Sequence, residues 1–321
     1  VSAGGAKLSV IVTETCDVTP LVRRVRMARE DGRPLPAFSG GAHTVVEMPD
    51  GDVLRRNPYS LMGDPADRSN YMISVRRDEA GRGGSLFMHR KVERGMRLTI
   101  SNPVNLFPLD LRARKHLLIA GGIGITPFLA QTRQLEAANA HFELHYVVRN
   151  AEHGAYCRET TERYPNRVRI YERDRGDGID FAALLTSQPL GTHVYVCGPE
   201  RMIDEVKKTA LALGWPRQTV HSEEFLAPAS GDPFTAELAV SNKTVTVGEH
   251  QSLLEAIEHA GVEAPYLCRG GACGQCETNV ISCDGTLIHN DHWLSEEDRK
   301  SGLKIMPCVS RFQGKTLVLE R

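Results

Sequence analysis

Five of the eight cysteines fall in the last quarter of this 321-residue chain: Cys268, Cys273, Cys276, Cys283 and Cys308. The run Cys268-Arg-Gly-Gly-Ala-Cys273-Gly-Gln-Cys276, with Cys308 after 31 further residues, has the C-x4-C-x2-C…C spacing of a plant-type 2Fe–2S cluster. Three thiolates within nine residues need a tight loop, and Gly270, Gly271 and Gly274 allow it. Those glycines also let backbone N–H groups approach the sulfurs, which helps set a reduction potential. The competing reading is a structural zinc site with four cysteines. Such sites usually show two closely spaced cysteine pairs, whereas here the fourth cysteine stands alone. Cys283 is then surplus and reads as a small buried apolar residue.

Four other stretches could bind ligands. Ala120-Gly121-Gly122-Ile123-Gly124-Ile125-Thr126-Pro127 follows an apolar run and opens a helical one. Thr126 suits a cap and Pro127 the first helical position. A strand–glycine turn–helix unit aims free N–H groups at an anion, usually a pyrophosphate. This is not the G-x-G-x-x-G fingerprint, and taken alone it also fits a tight packing turn. Val196-Cys197-Gly198-Pro199-Glu200 is a second strand–turn–helix junction. Cys197 there ends a strand at the face where doubly wound sheets bind ligands, or is simply a buried cysteine. Arg149, ending another strand, pairs a cofactor phosphate or is solvated. Asn57-Pro58-Tyr59-Ser60 joins a strand-end aromatic to a hydroxyl. Arg82-Gly83-Gly84-Ser85 sets an arginine and flexible N–H groups at a helix start, a phosphate-binding arrangement. An ordinary turn accounts for either stretch as well. Phe225 ends the last strand of its unit, where a core aromatic is the plain reading.

The elements that must position these residues change character along the chain. Residues 6–110 hold short β-rich runs, such as Leu8–Thr13, His43–Met48, Tyr71–Arg76 and Arg97–Ile100, with turn signals between them and one short helix at Ser85–Arg90. This pattern predicts a small antiparallel barrel. From residue 115, apolar strands alternate with helical segments. The strands are His116–Ala120, Glu143–Val148, Val168–Glu172, His193–Cys197 and Val220–Phe225, which predicts a parallel, doubly wound sheet. Residues 234–321 form a third unit. It has a hairpin about Ser241-Asn242, a helix opening on the capping box Ser252-Leu-Leu-Glu255 and ending at Gly261, and later strands near Glu277–Cys283 and Thr316–Leu319. The breaker-rich stretch Leu226–Pro233 reads as the linker before it.

Composition narrows the classes. Hydrophobic residues at 41% and charged residues at 25% are globular values. The net charge of −1 offers no basic excess for a phosphate backbone, so nucleic acid is excluded as the expected partner. Residues 234–321 carry 8 basic and 12 acidic side chains, residues 1–225 carry 31 and 27, and Asp232 lies between. That asymmetry suggests separate modules. The longest apolar run, His116–Ala130, is too short and glycine-rich to span a bilayer. Val1–Gly5 lacks the basic and apolar regions of a signal peptide. Clustered cysteines then fit metal binding in a cytoplasmic chain.

In this order the motifs resemble the ferredoxin-reductase superfamily with a fused ferredoxin. The domain order resembles the phthalate dioxygenase reductase family, which includes vanillate demethylase and carnitine monooxygenase reductases. The resemblance covers essentially the whole chain. It implies an antiparallel β-barrel flavin domain (1–111), a doubly wound α/β NAD domain (112–226) and an α+β, β-grasp 2Fe–2S ferredoxin domain (234–321). It implies FMN ahead of FAD, NADH ahead of NADPH, and a terminal Rieske-type oxygenase as electron acceptor, with hydride entering at the flavin and single electrons leaving through the cluster. Tyr59 and Ser60 match the flavin-binding Tyr-Ser, with Ser60 near flavin N5. Val75, Arg76 and Arg77 match the next flavin-contacting strand, and Gly83, Gly84 and Ser85 match the FMN phosphate loop. Phe225 matches the aromatic that stacks on the isoalloxazine. Gly122 to Thr126, Gly124 among them, match the nicotinamide–pyrophosphate loop, and Cys197, Gly198 and Pro199 match the turn beside the nicotinamide. Ser60 and Cys197 are thereby the expected catalytic positions.

One departure stands out. The family's Arg-x-Tyr-Ser reads Asn57-Pro58-Tyr59-Ser60 here, so the arginine that contacts the flavin phosphate is missing. Arg56 is expected to supply that charge round the turn at Pro58, with Arg55 and Arg82 as the other cations and Asn57 as a weaker hydrogen bond. Asparagine at this place is reminiscent of the carnitine monooxygenase type and tilts the reading toward a quaternary-amine pathway. Two other classes compete. A stand-alone flavin and iron–sulfur NAD(P)H oxidoreductase would need a further substrate region. A redox-responsive regulatory protein would need a DNA- or partner-binding module. The sequence shows neither.

Overall fold

Leu8, Val10 and Val12 are buried while Lys7, Ser9 and Thr13 face solvent and Ile11 is half-buried, the two-residue period of a half-buried strand. This strand, β1 (Lys7–Thr19), is followed by β2 (Val22–Arg29), β3 (Ala42–Asp50), β4 (Val53–Ser60), β5 (Tyr71–Arg76), β6 (Arg97–Ser101) and β7 (Val104–Asn105). The computed structural model describes residues 7–51, 53–225 and 230–321. Val1–Gly5 and the linker residues 226–229 lie outside that set. The first sheet runs β4-β3-β6-β1-β2-β5, with β7 paired to β3, and all its ladders are antiparallel. It curls until Met62 N–H, just past β4, donates to Met72 C=O in β5 at 2.8 Å, which closes the barrel. The helix α1 (Gly84–Arg90) lies between β5 and β6. Strand β2 escapes the sequence reading because Arg23, Arg24, Arg26 and Arg29 interrupt its buried Val22, Val25 and Met27. Ion pairs to β1 accommodate two of those charges: Arg23–Asp17 at 2.6 Å and Arg24–Glu14 at 2.7 Å.

The second sheet is parallel, in the order β10-β9-β8-β11-β12. Its strands are β8 (Lys115–Gly121), β9 (Phe142–Val148), β10 (Val168–Glu172), β11 (Thr192–Cys197) and β12 (Val220–Glu223), connected by α2 (Thr126–Ala137), α3 (Cys157–Arg163), α4 (Phe181–Thr186) and α5 (Glu200–Ala212). Helices cover both faces. Leu118, Ala120, Tyr195 and Cys197 belong to one core, and Leu117, Ile119, Val194 and Val196 to the other. Burial on both sides explains the continuous apolar runs of the central strands. Barrel residues Val22 and Met62 join the first of these cores, so barrel and α/β unit share apolar packing. The last strand stops at Glu223, so Phe225 lies two residues past it and is 45% exposed. It is not a core aromatic.

The third unit contains β13 (Phe234–Leu238), β14 (Lys243–Val247), α6 (Leu253–His259), β15 (Thr278–Cys283), β16 (Thr286–Ile288), α7 (Glu296–Ser301), β17 (Lys304–Ile305), β18 (Arg311–Gln313) and β19 (Leu317–Leu319). Its five-stranded sheet runs β14-β13-β19-β15-β17, with β13 and β19 parallel and the other ladders antiparallel, and α6 packs on it as in a β-grasp. The helix opens on the capping box foreseen from the sequence. Ser252 N–H donates to Glu255 Oε2 at 2.8 Å, and Glu255 N–H donates to Ser252 Oγ at 3.1 Å. Leu253, Leu254 and Ile257 of α6 are buried in the core, each contributing about 1.5–3 kcal/mol. Cys283 is solvent-exposed at the end of β15, not a buried apolar residue. It sits at a strand end, where side chains leave the core. No helix among the described residues is long and apolar enough to cross a membrane.

Candidate functional site

Strand order in the parallel sheet reverses between β8 and β11, and the carboxyl ends at such a point are where doubly wound sheets bind ligands. Both glycine turns sit there. A Cβ built on Gly124 would lie 2.2 Å from Cys197 C=O and 2.8 Å from Gly198 N. Only glycine lets these two turns meet backbone to backbone. The Gly122–Ile125 turn is a 3-10 segment, and Thr126 is already inside α2. Its hydroxyl donates to Ile123 C=O at 3.0 Å, so Thr126 does not cap the helix and Pro127 does not hold its first position. Cys197, Gly198 and Pro199 form the facing turn, with Cys197 fully buried. Burial, followed by the Glu223 and Glu224 carboxyls, pushes its thiol well above the ordinary value. Arg149, at the end of β9, is exposed and pairs with Asp174 at 3.6 Å, so its charge already has a partner on the surface.

The structure adds one residue that the sequence reading missed. Glu223 lies opposite Cys197 in the parallel register of β11 and β12. Burial raises its carboxyl from 4.5 to about 8, and its Oε2 has no hydrogen-bond partner among the described residues. No local motif marks it, because its neighbour is 26 residues away across the sheet. A half-buried acid whose Oε2 is buried without a partner among the described residues, beside two glycine turns, fits a site for a polar nucleotide ring. Its titration also predicts a stability trend. Between about 4.5 and 8 the folded chain binds a proton at Glu223 that the unfolded chain has released, so stability falls as pH rises through that window. Glu223→Gln removes the titration, and the fall in Tm between pH 5 and pH 8.5 becomes shallower. A pH–Tm profile parallel to the parent's overturns this.

Along β4 successive side chains alternate faces, so Arg55, Asn57 and Tyr59 share one face and Arg56 takes the other. A Cβ built on Gly83 would lie 3.1 Å from the Arg55 guanidinium, and one on Gly84 2.4 Å from Asn57 Nδ2. Gly83 has φ +94, a left-handed backbone that favours glycine. Arg55 and Asn57 therefore stand over the Gly83-Gly84 loop. Asn57 Nδ2 donates to Tyr59 Oη at 3.4 Å, and burial raises the Tyr59 phenol to about 12. Arg56, the expected phosphate cation, turns away to Glu47 at 2.9 Å and Glu258 at 3.2 Å. Strand alternation is the reason for this correction. Arg82 donates from Nη2 to both Glu255 oxygens at 3.1 Å. Arg55 Nη1 and Arg82 Nη1 are both buried without a hydrogen-bond partner among the described residues. Two orphaned guanidinium nitrogens beside a glycine loop fit a bound phosphate. Ser85 Oγ is engaged with Asp78, accepting from its N–H at 3.1 Å. Ser60 and Val75 are buried at their strand ends, whereas Arg76 is exposed.

The four expected cysteines fall into two pairs. The Cys276 and Cys308 sulfurs are 3.2 Å apart, and the Cys273 thiol hydrogen-bonds Cys268. That bond, with the N–H groups of Gly270, Ala272 and Cys273, lowers the Cys268 thiol below its ordinary value despite burial. Pairing suits a binuclear cluster, in which each iron takes two thiolates, better than one tetrahedral zinc. Cys268, Cys276 and Cys308 are buried and Cys273 is half-buried, with Cys283 apart from them.

Comparison with known proteins bears on all three sites. Residues 237–313 match the family of 2Fe–2S iron–sulfur cluster binding domains. Residues 100–220 match the N-terminal domain of dimethylamine monooxygenase subunit DmmA-like proteins. The chain is 43% identical over 312 residues to a carnitine monooxygenase reductase subunit of Acinetobacter baumannii, covering 97% of this chain and 96% of that one. It is 44% identical over 313 residues to a heme-dependent oxidative N-demethylase beta subunit of Ectopseudomonas mendocina, covering 98% of each. The solved structure of phthalate dioxygenase reductase, described as modular for electron transfer from pyridine nucleotides to 2Fe–2S, superposes with a TM-score of 0.89 at 35% identity and 98% coverage of each chain. With near-full-length identity and superposition of this kind, the chain belongs to the phthalate dioxygenase reductase family of flavin and iron–sulfur oxidoreductases.

Proposed function

We propose that this chain is the NADH-dependent, cytoplasmic reductase of a two-component oxygenase that attacks a carbon–nitrogen bond, and that its acceptor is a Rieske-type terminal oxygenase. The observation that carries the reading is near-full-length identity of 43–44% to reductase subunits of a carnitine monooxygenase and an N-demethylase. A bound FMN supplies the conversion of a two-electron hydride into single electrons that a 2Fe–2S cluster accepts. The chain's residues position and bind. Arg55, Arg82 and the Gly83–Ser85 loop hold the flavin phosphate, while Tyr59, Ser60, Val75 and Arg76 border its ring. Gly122, Gly124 and Thr126 face the nucleotide pyrophosphate. Cys197, Gly198 and Pro199 set the nicotinamide, with Glu223 holding a proton beside it. Phe225, exposed beyond β12, would stack on the flavin ring, as the family resemblance implies. Cys268 with Cys273 and Cys276 with Cys308 would hold the two irons of the cluster.

The N-demethylase relative favours a second reading, in which the acceptor is a haem protein. Purified chain with NADH is therefore given, in parallel, a Rieske-type carnitine oxygenase, a haem-dependent N-demethylase and a phthalate oxygenase, each with its own substrate. Product from the first alone supports the proposal, and product from the second alone supports the haem reading. Product from the phthalate system alone overturns both. A higher kcat/KM for NADPH than for NADH overturns the nucleotide assignment.

A further inference from the structure

We infer that two ion-pair contacts, the half-buried Arg56–Glu258 and the buried Arg82–Glu255, dock the ferredoxin domain on the flavin barrel and hold the cluster loop at its electron-transfer distance. This rests on the reading of the barrel as flavin-binding. Both glutamates lie on α6, one turn apart, and both arginines come from the barrel, 202 and 173 residues earlier in the chain. The first contact is part of a longer chain of charges. Glu47 on β3 accepts from Arg56 Nε at 2.9 Å, Arg56 Nη1 donates to Glu258 Oε2 at 3.2 Å, and Glu258 Oε1 accepts from Arg269 Nη2. Arg269 directly follows the cluster ligand Cys268. Its guanidinium lies 3.7 Å from the Tyr266 ring centroid, and its φ is +52. A non-glycine residue stays in that region only where its surroundings hold it. Strand β4 is thus joined to the cluster loop by consecutive hydrogen bonds, while the opposite face of β4 presents Arg55, Asn57 and Tyr59 to the Gly83-Gly84 loop.

The side chains in these contacts are between 4% and 18% exposed. Buried pairs add little net stability, because desolvation offsets attraction. Their geometry is demanding, however, and loss of one partner leaves an uncompensated charge. Such contacts suit register better than adhesion. Arg56 is therefore a positioning residue for the flavin-to-cluster step, and Arg82 adds a second tie through Nη2 while its Nη1 stays toward the phosphate loop.

Arg56→Gln tests this in the full-length holoprotein. It removes the cross-domain charge and leaves the Glu258–Arg269 pair within the ferredoxin domain. The variant is expected to keep its flavin and two irons and to reduce ferricyanide with NADH within about twofold of the parent. Its kcat for cytochrome c, served through the cluster, falls about tenfold with KM unchanged. Arg56→Lys restores most of that rate, and hydrogen exchange in α6 quickens in Arg56→Gln. Parental cytochrome c turnover together with parental α6 exchange overturns the inference. Loss of flavin from Arg56→Gln overturns it too, by returning Arg56 to the phosphate. Failure of the unaltered chain to reduce ferricyanide with NADH would instead remove the flavin reading beneath it.

Discussion

Arg55→Ala is expected to weaken flavin binding by about 1.5–3 kcal/mol, the range for a hydrogen bond to a charged group, or roughly 10- to 150-fold in Kd. The reason is positional. Asn57 stands where the family carries a phosphate-binding arginine, and it brings no charge. The Gly83–Ser85 loop offers backbone N–H groups but no cation of its own. Arg82 commits Nη2 to Glu255. Arg55 is the cation whose guanidinium lies against Gly83, and its Nη1 is buried without a partner among the described residues. Its contact to Asp50, at 3.4 Å, is long for a charge-assisted hydrogen bond, and Asp50 also pairs with Lys91. Truncating Arg55 thus removes the one full charge on the Asn57 face of β4. Fluorescence titration of the flavin-depleted protein with FMN measures the effect. Iron content stays constant, because the cluster ligands belong to loops of the ferredoxin unit. Equal FMN affinity in Arg55→Ala and the parent overturns the assignment, and a loss confined to Arg56→Ala returns the phosphate to the neighbouring residue.

Cys308→Ala is expected to abolish the cluster, and Cys283→Ala to leave it intact. Cys308 comes from a distant segment to meet Cys276, 32 residues earlier, with the two sulfurs 3.2 Å apart. Without it, one iron of a binuclear centre keeps a single protein thiolate. Cys308 is only 3% exposed, so water has poor access to the open position. Both sulfurs also belong to the buried apolar core of the ferredoxin unit, so cluster loss removes folding free energy as well as a redox centre. The parent should contain two irons per chain and Cys308→Ala essentially none. The variant loses cytochrome c reduction but keeps ferricyanide reduction, which needs only the flavin and nucleotide sites. Cys283 is exposed and lies apart from the four, so its replacement should change neither iron content nor turnover. Iron loss in Cys283→Ala would show that the fourth ligand is misassigned.

Features legible in the sequence are those whose physics is local. The spacing of three cysteines in nine residues specifies a loop because thiolates that close in sequence must share one metal site. The Ser252–Glu255 capping box, the Gly121–Pro127 turn and the alternation of strands with helices each follow from residues within one turn or one pleat of each other. Strand β2 was hidden because its arginines mask the apolar alternation, and only the acids of β1 make those arginines tolerable there. Arg55 and Arg56 are indistinguishable as letters, and the pleat of β4 alone sends one to Gly83 and the other to Glu258. Glu223 carries no motif. Its raised carboxyl arises from the register that sets it against Cys197 and from the burial that follows. The contacts of Arg56 and Arg82 with α6 join residues some two hundred positions apart. Such pairings depend on how separately folded units meet, and that is decided by the summed packing of three sheets rather than by any spacing along the chain.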